Sequence, residues 1–438
     1  MREGTKSVAT TRRVPRWAVG VVLLWMLSRT VLVWLAVHPQ GYWTSPPVTG
    51  DVSLYAWHAE QVIGERRLPY RDFALEYPPG SLPFILAPRA LGFRGNAYLG
   101  AFAVEMTLVD LLGLAACFAL SGRRRWWIPL AYAAATMPLG PIAYTRFDFV
   151  PAVAVLWAIT LARRGRWAGA GALLGLGTAA KLYPAFVIPI FLIEAWRLGG
   201  TSREWKLRAA RLVAGVTLVL LIAVAPFFLL ARKGLEAGTI GYHGRRGVQV
   251  ESLWGGLLLG KATKGYPATV AYKYGAFDVI SPASNTLKAV SSALSVAILA
   301  GGSLAAGFAA RRRRGDPAFL AGACLALLLA LVATGKVLSP QYVLWLAVIA
   351  PAALAERDPW FTCTWALLLP AGFASQMLYP FLYYNLLAIE SQPVLLLLAR
   401  NGTLLAATAV AVVGLARKLP VQTKLPTPAG SVTGETGV

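Results

Sequence analysis

Charged residues are scarce in this chain. Asp, Glu, Lys and Arg make up 14% of it, where a soluble protein carries about a quarter. With 57% hydrophobic residues over 438 positions, that shortage excludes a string of compact soluble domains. Cysteine is nearly absent: Cys117, Cys324 and Cys363 lie in apolar segments, without metal-ligand spacing or a disulfide framework. Acidic residues are few, 19 against 42 Lys and Arg, which leaves a net charge of +23. In a soluble protein that surplus would point to nucleic acid, but no nucleic-acid fingerprint occurs and no such partner is expected. A GxxxxGK[ST] loop, a GxGxxG turn after a strand and a DxD pair are all missing. These absences weigh against a soluble-style domain for ATP or a nucleotide sugar. No solenoid period is present. No ligand cluster indicates a metal, and no cofactor is expected.

What is abundant is apolar sequence, with a mean hydropathy of +0.58. A membrane span takes roughly 20 apolar residues. Candidate spans fall near 15–37, 98–120, 126–144, 147–162, 167–181, 183–196, 211–231, 286–310, 318–336, 338–355, 359–379 and 393–415. The fold expected is all-α: a polytopic transmembrane helix bundle of ten to twelve spans, with twelve favoured. Some middle segments are short and broken by Gly and Pro, which is tolerated inside a bundle or beside a cavity. No small-residue cleavage site follows the first apolar run, so it reads as a retained span.

Basic residues set the expected orientation. Arg12, Arg13 and Arg16 precede the first span, and Arg123–Arg125, Arg163, Arg164, Arg166, Arg203–Arg211, Arg311–Arg314, Arg417 and Lys418 keep the same parity. Both termini are therefore expected in the cytoplasm. Residues 1–14 form an N-terminal tail, 15–418 the membrane domain, and 419–438 a polar, disordered cytoplasmic tail. Two long loops, about 38–97 and about 232–285, fall on the external side. Arg outnumbers Lys 31 to 11, a bias of GC-rich bacterial genomes, so the expected location is a bacterial plasma membrane.

Candidate chemistry gathers on that external side. Tyr55, Ala59, Val62 and Ile63 recur at helical spacing, which predicts an amphipathic helix along the membrane surface. Asp51 stands at its start, where a carboxylate either caps the helix or acts as general base at a cavity mouth. Asp72 and Glu76, with Tyr77 beside them, would complete an acidic, aromatic pocket suited to polyols. In the second loop Arg245 and Arg246 are candidates for a bidentate phosphate clamp, with Glu251 and Ser252 placed to orient one of them. The alternative is a solvated loop meeting anionic headgroups of membrane lipids. Arg29, Glu105 and Asp110 lie within spans, where pairing across helices is the structural expectation. Arg146 and Asp148 sit at an outer helix end. Lys181 and Lys336 occupy similar positions beside Tyr183, Pro184, Pro340, Gln341 and Tyr342, where snorkelling would also explain a lysine.

The stretch from Gly50 to Gly80, with G-D-x-x-x-Y, L-P-Y-R-D-F and E-Y-P-P-G in order, resembles the first external loop of glycosyltransferase family 87. The resemblance extends to Tyr144-Thr145-Arg146-Phe147-Asp148, to Gly175–Pro184 and to Gly335–Tyr342, and covers roughly 15–400. It implies an integral-membrane enzyme of the C-type glycosyltransferase superfamily. It further implies a polyprenyl-phosphate-linked sugar as donor, a cell-envelope glycolipid or glycan as acceptor, and inversion at the anomeric carbon. The family's proposed base is an acidic residue early in the first external loop, and Asp51 is the matching position. The resemblance also favours Tyr55, Lys181, Tyr183, Lys336, Gln341 and Tyr342 as substrate-binding residues. Mannose is the first expectation for the sugar and arabinose the second. The competing expectation is a lipid or sugar transporter or flippase, which often shows two related halves. No such repeat is visible.

Overall fold

The computed structural model describes residues 15–38, 50–122 and 125–417. The tails expected at 1–14 and 419–438, and Arg123, Arg124 and Lys418, lie outside the described residues. The first half comprises α1 (Arg16–Val37), α2 (Gly50–Ala59), α3 (Leu82–Ala90), α4 (Gly95–Ser121), α5 (Trp127–Thr136), α6 (Phe149–Arg163), α7 (Trp167–Ala180) and α8 (Ile188–Arg197). The second comprises α9 (Ser202–Glu236), α10 (Tyr242–Arg245), α11 (Leu253–Ala262), strands β1 (Thr269–Lys273) and β2 (Ala276–Ile280), then α12 (Ser284–Arg312), α13 (Phe319–Thr334), α14 (Gln341–Ala353), α15 (Pro359–Gln376), α16 (Tyr383–Leu387) and α17 (Ser391–Ala416).

All twelve expected apolar segments are helical, but not all are long. Among the described residues six helices are long and apolar enough to cross a membrane: α1, α4, α9 with its continuation to Arg245, α12, α15 with its continuation to Phe381, and α17. Four more, α6, α7, α13 and α14, are apolar but have 10–17 residues. The expected spans 126–144 and 183–196 are ten-residue helices, α5 and α8, joined to 3₁₀ turns at Met137–Tyr144 and Tyr183–Val187. Pro138, Pro141 and Pro184 withhold the N–H groups that an α-helical ladder needs, and Gly140 turns to positive φ. The short helices are apolar on all sides and form the centre of the bundle. The long ones leave Leu27, Ile222, Leu229, Val296 and Leu304 exposed, an apolar outer surface suited to lipid.

Helices α7 and α9 approach closely because glycines line their seam. A methyl group on Gly171 would overlap the Leu212 carbonyl, and one on Gly215 the Ala168 carbonyl. Small residues four apart, Gly171 and Gly175, are the sequence device that lets membrane helices meet at backbone distance. At the start of α9, Thr201 and Glu204 form a reciprocal capping box, with the Glu204 N–H donating to Thr201 Oγ1 and the Thr201 N–H to Glu204 Oε2.

Several buried ions are paired. Arg29 of α1 meets Asp110 of α4 at 2.9 Å, and Tyr132 and Tyr144 also donate to that carboxylate. The pairing expected for Arg29 therefore forms with Asp110. Glu105 takes no part in it. At one end of the bundle Arg197 pairs with Glu194 and donates to the Arg313 carbonyl, while Arg313 pairs with Asp316 and Asp358. Arg164 reaches the Ala119 carbonyl and Trp127 the Leu354 carbonyl. The connections rich in basic residues thus gather at the same end.

The opposite end carries α2, α3, α10, α11 and the hairpin. Strands β1 and β2 pair antiparallel through a two-residue turn, Tyr274-Gly275, with both φ values positive at 49° and 69°. The Val250 N–H donates to the Phe277 carbonyl and the Val279 N–H to Val248, so 248–250 lies along β2 as a third extended segment.

Candidate active site

The loop end forms a cavity of about 480 Å³ between segments distant in sequence. From α2 come Asp51 and Tyr55, from the following loop Glu76 and Tyr77, and from the turn before α6 Arg146 and Asp148. Lys181 stands at the end of α7, Arg246 and Glu251 follow α10, and Gln341 and Tyr342 open α14. All eleven of these were singled out in the sequence.

The predicted surface helix forms as α2 and continues as a π-turn over Glu60–Gly64. It buries Tyr55 and Ala59 against the bundle. Tyr55 packs against Tyr77 at 5.6 Å, Phe102 at 5.3 Å and Phe147 at 5.5 Å between ring centres. This aromatic anchor holds the first turn of α2, and with it Asp51, at the cavity edge. Asp51 Oδ2 accepts an ion pair from Arg146 Nε at 2.6 Å, with the carboxylate 36% exposed and the arginine 6%. Deeper in, burial and the nearby Asp51 carboxylate push Glu76 above the usual carboxylate range.

Asp148 is fully buried. Its Oδ1 accepts from Lys181 Nζ and from Trp345 Nε1, both at 2.6 Å. Lys181 also lies over the rings of Trp345, Phe147 and Tyr342, at 5.2, 5.3 and 5.6 Å. Tyr183, Trp345 and Tyr342 form one stack, with ring centres 3.9 and 4.1 Å apart. Tyr183 belongs to the support of the cavity and does not line it.

Three further expectations are corrected. Asp72 does not reach the cavity: it pairs with Arg71 and accepts from the Leu68 N–H in an exposed turn. Those contacts, led by the Arg71 hydrogen bond, hold its carboxyl down to about 2. Arg245 and Arg246 do not act together, because Arg245 ends α10 while Arg246 is extended, and the two side chains part. Arg246 lines the main cavity, over the Tyr242 ring, whereas Arg245 lines a separate one. Lys336 does not face the cavity either. Its ammonium donates to the Arg246 carbonyl at 3.1 Å and the Gly244 carbonyl at 3.4 Å, and so fixes the backbone that carries Arg246.

Glu251 lines the inner wall and is 2% exposed. Burial pushes its carboxyl up to about 7, against the pull of Arg400. Its backbone carbonyl accepts from Arg400 Nη2. Ser252, expected to orient an arginine, instead caps α11 by accepting from the Gly255 N–H. Tyr242, His243, Gln249, Tyr272, Phe277, Tyr379 and Tyr383 also line the cavity and were not singled out in the sequence. Their segments give no local sign of convergence; only Tyr242 and His243, beside the two arginines, offered one. Among the described residues no group of three or more His, Cys, Asp or Glu is placed to hold a metal ion.

The cavity thus combines carboxylates, three cations and many aromatic rings. Such rings stack on sugar faces, and the charged groups bind hydroxyls and anionic oxygens. Residues 75–340, more than half of the chain, match glycosyltransferase family 87. Asp51, Tyr55, Gln341 and Tyr342 lie outside the matched stretch. The chain is also similar to ArnT from Cupriavidus metallidurans, a crystal structure in the apo state, with 15% identity and a TM-score of 0.45 over 91% of this chain and 77% of that one. Comparison with curated proteins gives no match. The chain belongs to glycosyltransferase family 87, and is a polytopic membrane glycosyltransferase.

Proposed function

We propose that the enzyme transfers a single glycosyl residue, mannose before arabinose, from a polyprenyl-phosphate-linked donor to a hydroxyl of a cell-envelope glycolipid or glycan. In this reading both termini are cytoplasmic and the cavity opens on the extracytoplasmic face of a bacterial plasma membrane. Asp51 takes the proton from the acceptor hydroxyl as its oxygen attacks the anomeric carbon. The bond from that carbon to the phosphate oxygen breaks on the opposite side, and its electron pair leaves with the polyprenyl phosphate. The product is inverted.

The observation that carries this reading is the meeting of Asp51 with Arg146, Lys181 and Arg246 around one aromatic cavity at the bundle end. Arg246 suits the leaving phosphate because its Nε is buried without a hydrogen-bond partner, which an anionic oxygen would supply. Tyr55, Glu76, Tyr77, Gln341 and Tyr342 line the same space and are proposed to bind sugar hydroxyls and ring faces. Asp148 positions Lys181. Membership in a family of glycosyltransferases disfavours the transporter reading.

The test is transfer by purified enzyme in liposomes supplied with either a polyprenyl-phosphate sugar or the matching nucleotide sugar. Transfer from the lipid-linked donor alone is expected. Efficient transfer from the nucleotide sugar, with no lipid intermediate, would overturn the proposal.

A further inference from the structure

A second cavity, of about 450 Å³, adjoins the first across the β1–β2 hairpin. Successive residues of a strand point to opposite faces. Tyr272 and Phe277 accordingly line the first cavity, and Lys273 and Asp278 the second. Arg246 and Arg245 divide in the same way. The hairpin and residues 245–247 are therefore a wall with a different chemistry on each side.

The second side is cationic. Arg245, Lys273 and Lys288 line it, and among the described residues none of the three forms a salt bridge with a carboxylate. Arg245 donates to the Ala237 carbonyl and Lys288 to the Arg245 carbonyl, contacts that hold the side chains without neutralising them. Asp278 is the single carboxylate present and is 2% exposed. Its Oδ2 accepts from the Gly247 N–H at 3.1 Å, while its Oδ1 is buried with no hydrogen-bond partner. Burial pushes this carboxyl up, against the pull of the Gly247 N–H, Arg246, Lys273 and Lys288.

Ser284 and Asn285, the first residues of α12, complete the lining. No side chain caps α12, and the positive end of its dipole faces this space. The helix has 29 residues and is apolar enough to cross a membrane. If α12 crosses the membrane as its length and composition allow, its first turn falls at the end of the span, at the depth of lipid phosphates.

We propose that this second cavity binds a phosphate monoester at the membrane surface, held by Arg245, Lys273, Lys288 and the start of α12. Three cations against one carboxylate match a phosphate carrying up to two negative charges, and the unpartnered Asp278 Oδ1 could accept from a protonated phosphate oxygen. The site is separate from the transfer chemistry and holds whether or not the donor is a polyprenyl phosphate.

The test is equilibrium binding of radiolabelled dioctanoyl phosphatidic acid to the detergent-solubilised full-length protein. Unlabelled inorganic phosphate and dioctanoylglycerol serve as competitors. Saturable binding is expected, with no competition by dioctanoylglycerol. Binding should weaken at least tenfold in the R245Q/K273Q/K288Q variant and several-fold in K273Q alone, whose exposed side chain makes no contact needed for folding. Competition by inorganic phosphate as strong as by the lipid assigns the site to free phosphate, and competition only at far higher concentration assigns it to a lipid headgroup. Unchanged binding in K273Q and in the triple variant, or equal competition by dioctanoylglycerol, would overturn the proposal. No transfer rate enters the measurement, so its failure is distinct from failure of the transferase mechanism.

Discussion

Lys181 and Trp345, from two helices 164 positions apart in number, donate to the same oxygen of Asp148, each at 2.6 Å. A fully buried carboxylate is held here by one ammonium and one indole, at the meeting point of α6, α7 and α14. Lys181→Met removes the charge partner and leaves Asp148 buried alone. Breaking a buried pair in this way costs about 3–5 kcal/mol. Thermal unfolding of the variant should shift down accordingly, and adding Asp148→Asn should restore part of the loss. A Lys181→Met protein as stable as the wild type would show that the pair is not a structural element.

Arg146 links the cavity mouth to the bundle through Asp51. Arg146→Gln keeps some of the side-chain volume but withdraws the charge that orients the carboxylate. A loss of about 10²-fold in transfer rate is expected, since misplaced reacting groups forfeit that much. Arg146→Lys should recover little of it, because an ammonium cannot reproduce the planar guanidinium contact. Steady-state transfer in liposomes reads both variants, and full activity in Arg146→Gln would remove the residue from the site.

Glu251 predicts a pH dependence. Its carboxyl stands at about 7 in the folded protein against an ordinary 4.5. Between those values the folded state binds more protons than the unfolded one, so stability falls as pH rises. The contribution is complete below about 4.5 and is lost as pH climbs through about 7. The melting temperature of the wild type should therefore drop between about pH 4.5 and about 7 more than that of Glu251→Gln. Parallel curves for the two proteins would contradict the buried, protonated carboxyl.

The orientation is testable without activity. After Cys363, the exposed native thiol, is replaced by Ser, single cysteines near Arg66 and Lys264 should react with an impermeant reagent outside intact cells. Cysteines near Arg164 and Arg314 should not. Reversed labelling would move the cavity to the cytoplasmic side.

Much of this fold is legible in the sequence because lipid-facing helices announce themselves by composition. The twelve apolar segments, the surface helix carrying Tyr55 and the Arg29–Asp110 pair all follow from local pattern and the cost of unpaired buried charge. The hairpin at 269–280 is less visible, since two five-residue strands joined by Tyr274-Gly275 leave only a short alternation. Arg245 and Arg246 read as one clamp in sequence. The end of α10 between them sends one to each cavity, and that depends on a backbone change with no signal in residue type. Trp345 lies inside an apolar run, where nothing marks it as the partner of Asp148. Tyr379 and Tyr383 reach the cavity only because α15 ends beside it.

The central claim is that Asp51 is the base, and Asp51→Asn tests it most directly. Asn caps helices about as well as Asp and nearly matches it in shape, but it cannot take the acceptor's proton. The measurement is the single-turnover rate of sugar transfer in liposomes loaded with polyprenyl-phosphate donor, with donor binding measured on the same preparation. The account predicts donor affinity close to wild type and a rate reduced by about 10²–10⁴-fold, the usual contribution of a general base. A variant that binds donor normally and transfers at a near wild-type rate would contradict it.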